Sequence, residues 1–135
     1  MITITPLAFP DDLDRLKKLA STLDFSNNLN YLEECLKVSD EGRVVLIAAH
    51  EWVDLGLCVV NFISPYPLFR RFNIPEIQDL NVHSDARGQG VGSALVTAAE
   101  DLARSRGHTD IGIGVGLTAN YGAAQRLYIK LGYIP

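Results

Sequence analysis

The stretch that most limits how this chain can fold is EIQDLNVHSDARGQGVGSALVTAAEDLARSRG, residues 76–107. EIQDLNVH (76–83) has strand character, and a long amphipathic run follows a glycine-rich turn. A helix is predicted from about Gly90 to Arg106, with Val91, Leu95, Ala98, Ala99 and Leu102 facing inward. Arg104 and Arg106 complement its C-terminal dipole, and Gly107 ends it. DIGIGVGL (110–117) reads as another strand. A strand, a helix and a strand in this order close as a right-handed crossover. Strands 76–83 and 110–117 are therefore expected to be parallel neighbours.

The front half supplies the other sheet partners. Residues 1–8 alternate, with Ile2 and Ile4 on one face. Asp11 or Asp12 can cap a helix through about Thr22, with Leu13, Leu16, Leu19 and Ala20 as its apolar stripe. A second short helix is expected over residues 28–38, turning Leu29, Leu32, Cys35 and Leu36 inward. RVVLIAAH (43–50) and LGLCVVNFI (55–63) flank the turn EWVDLG and form an antiparallel hairpin. The prolines of SPYPLFRRFNIP (64–75) make it a loop. A last helix is expected over residues 122–131. The predicted order is β-α-α-β-β-β-α-β-α. This is an α/β class chain with a mixed central sheet, an antiparallel hairpin and a splayed parallel strand pair, flanked by helices.

RGQGVGS is the natural anion site. Its backbone N–H groups converge at the positive end of a helix, and its glycines leave room above them. A nucleotide P-loop fails here, because the second glycine of GxxxxGK[ST] falls on Ser93 and no lysine follows. The dinucleotide fingerprint GxGxxG fails at the same serine. A tight structural turn remains open as an alternative.

The bulk numbers exclude several classes. The chain has 135 residues, enough for one domain with a real core, and a net charge of −4. No nucleic-acid partner is expected from that charge. No apolar run reaches membrane-spanning length, so no membrane partner is expected. The N-terminus MITITPLAFPDDLD turns acidic and is not a signal peptide. Cys35 and Cys58 read as buried free thiols of a cytoplasmic protein. His50, His83 and His108 lack metal-ligand spacing, so no metal is expected.

Residues 76–107, followed by NYGAAQRLYIKLGY (120–133), resemble the GNAT superfamily of acyl-coenzyme A N-acyltransferases. The first segment is similar to that family's pyrophosphate-binding motif with its preceding strand. The second is similar to its following helix. The resemblance implies acetyl-coenzyme A as co-substrate and a gap between strands 76–83 and 110–117 that admits the pantetheine arm. Gly112, Gly114 and Gly116 leave one face of the second strand bare, open either to that arm or to a packed helix backbone. Gly88, Gln89, Gly90, Val91, Gly92 and Ser93 would meet the pyrophosphate. Arg87 either joins them or pairs with Asp85. Asn81 and Val82 would bond pantetheine, with the Val82 N–H placed to stabilise an oxyanion. Asn120 matches a cofactor-contacting asparagine, though asparagine is also a natural helix N-cap. Tyr128 matches the family's general acid, or else is a core aromatic.

The base is open between Glu76 and Asp79, which strict alternation places on opposite faces of the key strand; a solvated Glu76 is the plain alternative. His83 is a more distant choice. The reaction implied is acetyl transfer to a primary amine by direct attack. The acceptor is a small molecule or a peptide amine, and Arg70 and Arg71 border its expected position. The family continues beyond LGY through two further strands, whereas this chain stops at Pro135. An edge left open there would favour a homodimer. The rival reading is a non-catalytic acyl-coenzyme A-binding or regulatory module.

Overall fold

The computed structural model describes residues 1–23, 29–38, 42–63 and 70–113. Its elements are β1 (Ile2–Pro6), α1 (Leu13–Thr22), α2 (Leu29–Lys37), β2 (Arg43–His50), β3 (Val53–Asn61), β4 (Glu76–Val82), α3 (Val91–Ser105) and β5 (Gly112–Ile113). A short 3-10 turn, Ser84–Ala86, joins β4 to the glycine turn. The five strands form one sheet in the order β1-β2-β3-β4-β5. The first three pairings are antiparallel, and β4 and β5 run parallel, with Glu76 opposite Gly112 and Ile77 opposite Ile113. The expected α/β architecture, hairpin and parallel pair are all present. The predicted last helix, and residues 114–117 of the strand expected over 110–117, lie outside the described residues; Asp110 and Ile111 precede β5 without strand pairing.

β2 and β3 are covered on both faces, which explains why RVVLIAAH and LCVVN read as unbroken apolar runs. Alternation divides their side chains between two cores. Val45, Ile47, Leu57 and Val59 pack with Leu16, Leu19, Leu32, Cys35 and Leu36 of α1 and α2. Val44, Leu46, Ala48, Cys58 and Val60 pack with Val91, Leu95, Val96 and Ala99 of α3 on the opposite side. Ile2 and Ile4 join this second core together, as their shared face requires. The two cysteines are free and buried, one in each core. Burial pushes the Cys58 thiol up to about 12.

Three local details differ from expectation. Asp12 stands at the N-cap of α1, but its side chain caps nothing. Its carboxylate turns back to accept from the Ala8 N–H at 2.8 Å. β3 begins two residues earlier than its apolar run, at Val53, because Asp54 is anchored by a bidentate ion pair to Arg15 of α1 at 2.7 Å. The buried stripe of α3 is wider than its period implies, since it also includes Val96 and Ala103. A helix lying across a sheet buries more than one seam.

Candidate functional site

The site is built around an irregularity in β4. Asn81 pairs with Leu57 and Gln78 pairs with Val59, so three steps on β4 match two on β3. The extra residue is accommodated at Asp79, whose φ is +57°. This is a β-bulge, and it shifts the alternation of every later side chain. Ile77, Leu80 and Val82 all face the α3 core. Glu76 and Gln78 face the other way, and Gln78 Nε2 donates to Glu76 Oε1 at 2.9 Å. Asp79 also turns to the α2 side, where it accepts a 2.5 Å hydrogen bond from the Tyr31 hydroxyl. Glu76 and Asp79 therefore share one face, against the opposite-face expectation. The positive φ at Asp79 breaks the period of two.

Burial raises the Asp79 carboxyl above the ordinary carboxylate value. The Tyr31 hydrogen bond and the Arg43 charge oppose that rise, while the Glu76 charge adds to it. Burial first, and then the bond to Asp79, holds the Tyr31 phenol far above its usual value, so the phenol is the donor. Arg43 of β2 lies over the Tyr31 ring, 5.9 Å from its centre. Sequence reasoning missed both Tyr31 and Arg43. Neither lies near β4 in the chain, and no local pattern marks them.

Beyond the bulge, β4 approaches β3 closely. A Cβ built at Gly56 would lie 2.7 Å from the Asn81 carbonyl oxygen and 3.3 Å from Val82 Cα. The His83 N–H bonds the Leu55 carbonyl at 2.7 Å. Successive strand N–H groups point to opposite sides, so the Val82 N–H points away from β3, towards the β5 side. Arg87 stays at that end, its Nε reaching the Val82 carbonyl at 3.4 Å. It does not pair with Asp85, whose carboxylate lies 3.7 Å from His83 Nδ1.

The glycine turn then opens α3. Gly88 and Gly90 have φ of +81° and +83°, and a Cβ at either would meet nothing within 4 Å. Gly90 is the N-cap, with no side-chain cap bond. The first backbone bond of the helix runs from the Ala94 N–H to the Gly90 carbonyl at 3.0 Å. Among the described residues, the N–H groups from Gly88 to Ser93 have no backbone acceptor. A row of unpaired donors under open space at a helix N-terminus fits a pyrophosphate. Asn120 and Tyr128 lie outside the described residues, as do Gly114 and Gly116. Arg70 and Arg71 are exposed, and Arg71 lies over the Phe72 ring.

Residues 13–133 match the model of the acetyltransferase (GNAT) family. The chain belongs to that family. An uncharacterized N-acetyltransferase of Methanocaldococcus jannaschii is 30% identical over 103 residues, which make up 76% of this chain and 43% of the relative. The chain thus spans less than half the length of that relative. Two solved structures share the fold. An aminoglycoside acetyltransferase from an uncultured soil metagenomic sample has a TM-score of 0.77 at 20% identity, covering 100% of this chain and 93% of its own. A transcriptional regulator from Bacillus halodurans C-125 has a TM-score of 0.74 at 24% identity, covering 99% and 93%. Their different names show how little this fold fixes by itself.

No helix among the described residues is long and apolar enough to cross a membrane. No group of three or more His, Cys, Asp or Glu residues among them could hold a metal ion.

Proposed function

We propose that this protein transfers an acetyl group from acetyl-coenzyme A to an amine by direct attack. The observation that carries the reading is the row of unpaired N–H groups from Gly88 to Ser93, under open space and beside a bulged strand bearing two carboxylates. Family membership points the same way. Acetyl-coenzyme A would supply the acyl group as a thioester. The turn would hold its pyrophosphate, with Arg87 beside it, while Asn81 and Val82 would hold its pantetheine. The Val82 N–H, directed away from β3, is aimed to meet the oxyanion.

On the other face, Asp79 is the better base. It is partly buried, it is fixed by Tyr31, and its affinity for a proton is raised. Glu76 lies on the same face and extends the acidic wall that would gather an ammonium ion. Asn120 and Tyr128 keep the roles that the family resemblance implies, contact with the co-substrate and protonation of the leaving thiolate.

Calorimetric titration with acetyl-coenzyme A, with ATP and NAD as controls, tests the donor site. Acetyl-coenzyme A alone should bind. Gly90→Asn, which tolerates the left-handed backbone but fills the space above it, should weaken binding by about 10-fold or more. Equal binding of ATP would remove the assignment. Binding of acetyl-coenzyme A without turnover of any amine would leave the non-catalytic module as the correct reading.

A further inference from the structure

Arg43 reaches Asp79 only by way of α2. Arg43 stands on β2 and Asp79 on β4, with β3 between them. Neighbouring strands are about 4.8 Å apart, so the two backbones are about 10 Å or more apart. The register partner of Arg43 on β3 is Asn61, which carries no charge. Arg43 points instead to α2, where its Nη1 lies 3.7 Å from Cys35 Sγ and its guanidinium lies over the Tyr31 ring. Among the described residues it has no carboxylate within ion-pair distance. A partly buried guanidinium gives up hydration, and no direct ion pair repays it here.

Tyr31 supplies the link. Tyr31 and Cys35 are four residues apart on α2 and lie on one stripe of it, so Arg43 meets two successive turns of that helix. The guanidinium lies over the face of the ring, an arrangement the ring quadrupole favours. The hydroxyl at the end of the same ring donates to Asp79 Oδ2 at 2.5 Å. Arg43, Tyr31 and Asp79 thus form one row of cation, ring and carboxylate that crosses β3. Among the described residues Tyr31 is the one hydrogen-bond donor to Asp79, and it takes Oδ2 alone. One carboxylate oxygen is held, and the other is left to receive a proton. The titratable and charged groups facing Asp79 are Tyr31 and Cys35 of α2, Arg43 of β2, Cys58 of β3 and Glu76 of β4. Arg43 is the one cation in that set.

We propose that Arg43 is a positioning residue for Asp79, acting through Tyr31: its guanidinium holds the ring so that the phenol hydrogen stays on Oδ2, and the acceptor amine meets a fixed, charged carboxylate. This rests on the reading of Asp79 as the base of an acetyltransferase. In that reaction the nitrogen forms a bond to the acetyl carbon, the carbon–sulfur bond breaks, and the thiolate leaves with the electron pair. The proton lost by the nitrogen passes to Asp79 Oδ1, and the thiolate takes up one in return. Tyr31 keeps its own proton throughout, because its phenol is held far above the usual value. Arg43 touches neither the amine nor the thioester. Its contribution is made before the substrate arrives, in the charge and orientation of the base.

The test is a carboxylate NMR titration of the full chain labelled with carbon-13 aspartate, in which Asp79→Asn identifies the Asp79 signal. Arg43→Met should move the Asp79 titration to higher pH, and Arg43→Lys, which keeps the charge, should restore part of the wild-type value. Arg43→Gln is the second neutral variant, should Arg43→Met lose its dispersed amide spectrum. Tyr31→Phe keeps the ring and removes the hydroxyl, so Arg43→Met should move the Asp79 signal less in that background. An unmoved Asp79 signal in the neutral variants overturns the proposal. A shift of equal size with and without the Tyr31 hydroxyl overturns it as well, since the ring would then be a bystander. In turnover, Arg43→Met should lower kcat/KM by about 3- to 10-fold on the acid limb, with the loss fading towards the alkaline plateau. A merely structural arginine would lower both regions equally on replacement. The titration needs no substrate, so it decides the role of Arg43 whether or not any amine is acetylated. Undiminished turnover by Asp79→Asn would instead remove the reading of Asp79 as the base.

Discussion

Gly56→Ala is the sharpest perturbation of the link between sheet and site. An alanine Cβ at position 56 would sit 2.7 Å from the Asn81 carbonyl oxygen, closer than real Cβ atoms come to anything, and 3.3 Å from Val82 Cα. Both neighbours are backbone, so no side chain can swing aside. β3 and β4 must separate by several tenths of an ångström where β4 leads into the glycine turn. Overpacking of this kind costs about 1–3 kcal/mol, and the better strand entropy of alanine returns about 0.5–1 kcal/mol. A net loss of about 1–2 kcal/mol is expected, or roughly 3–10 °C in Tm for a domain of this size. Gly42→Ala is the internal control. Its Cβ would lie 3.1 Å from Ile63 Cδ1, the movable end of a side chain, so it should cost under about 0.5 kcal/mol. Urea unfolding gives both values. Acetyl-coenzyme A titration should show weaker binding by about 10-fold for Gly56→Ala only, as backbone bonds at Asn81 and Val82 are displaced. A Gly56→Ala protein with native stability and native affinity would refute the view that β3 sets the position of this end of β4.

Leu95 is fully buried in the α3 core, and Leu95→Ala should cost about 2–5 kcal/mol in urea unfolding, with no change in the titration of the α2-side carboxylates. Asp79→Asn tests the burial of its charge. The folded Asp79 binds its proton more tightly than the unfolded chain does, so this contribution to stability is complete below the ordinary carboxylate value. It is lost as pH rises through the folded value. Wild type and variant should therefore converge in acid, and the variant should gain relative stability towards neutral pH; a parallel pH dependence would count against it. Tyr31→Phe removes a donor that holds Asp79 ionised. The acid limb of the kcat/KM profile should then move to higher pH, and an unmoved limb would show that Asp79 is not the base.

The elements of the fold were readable because each is bounded by local chemistry. The crossover of β4, α3 and β5 follows from one apolar strand, one glycine turn and one 3.6-period run. The hairpin follows from two apolar runs around a turn. The glycine turn was readable for the same reason, since Gly88 and Gly90 are adjacent to the helix they open. What the sequence hides are features made by pairing. Nothing in EIQDLNV marks Asp79 as the extra residue; only the register against Leu57 and Val59 does. Tyr31 and Arg43 are equally silent, because they meet Asp79 only once α2 and β2 are laid beside β4.

The bulge ties these hidden features together. With strict alternation Asp79 would face the α3 core with Ile77, where a carboxylate among Val60, Val91 and Leu95 would have no donor. The left-handed backbone at Asp79 costs about 1 kcal/mol or more. It moves that charge to the side where Tyr31 donates and Arg43 attracts, and it returns Leu80 and Val82 to the α3 core. The same slip keeps the Val82 N–H on the β5 side, at the end of the strand nearest the glycine turn. One irregular residue thus sets a carboxylate on one face and a backbone donor at the strand edge. The proposed transfer would use both, with the amine approaching from the α2 side and the thioester oxygen meeting β4. Removing the bulge by deleting Asp79 should therefore abolish transfer by misplacing the Val82 donor as well as by losing the carboxylate. Asp79→Ala, which keeps the chain length, should lose only the second contribution. If the two variants prove equally impaired, with the same affinity for acetyl-coenzyme A, the bulge is serving packing alone.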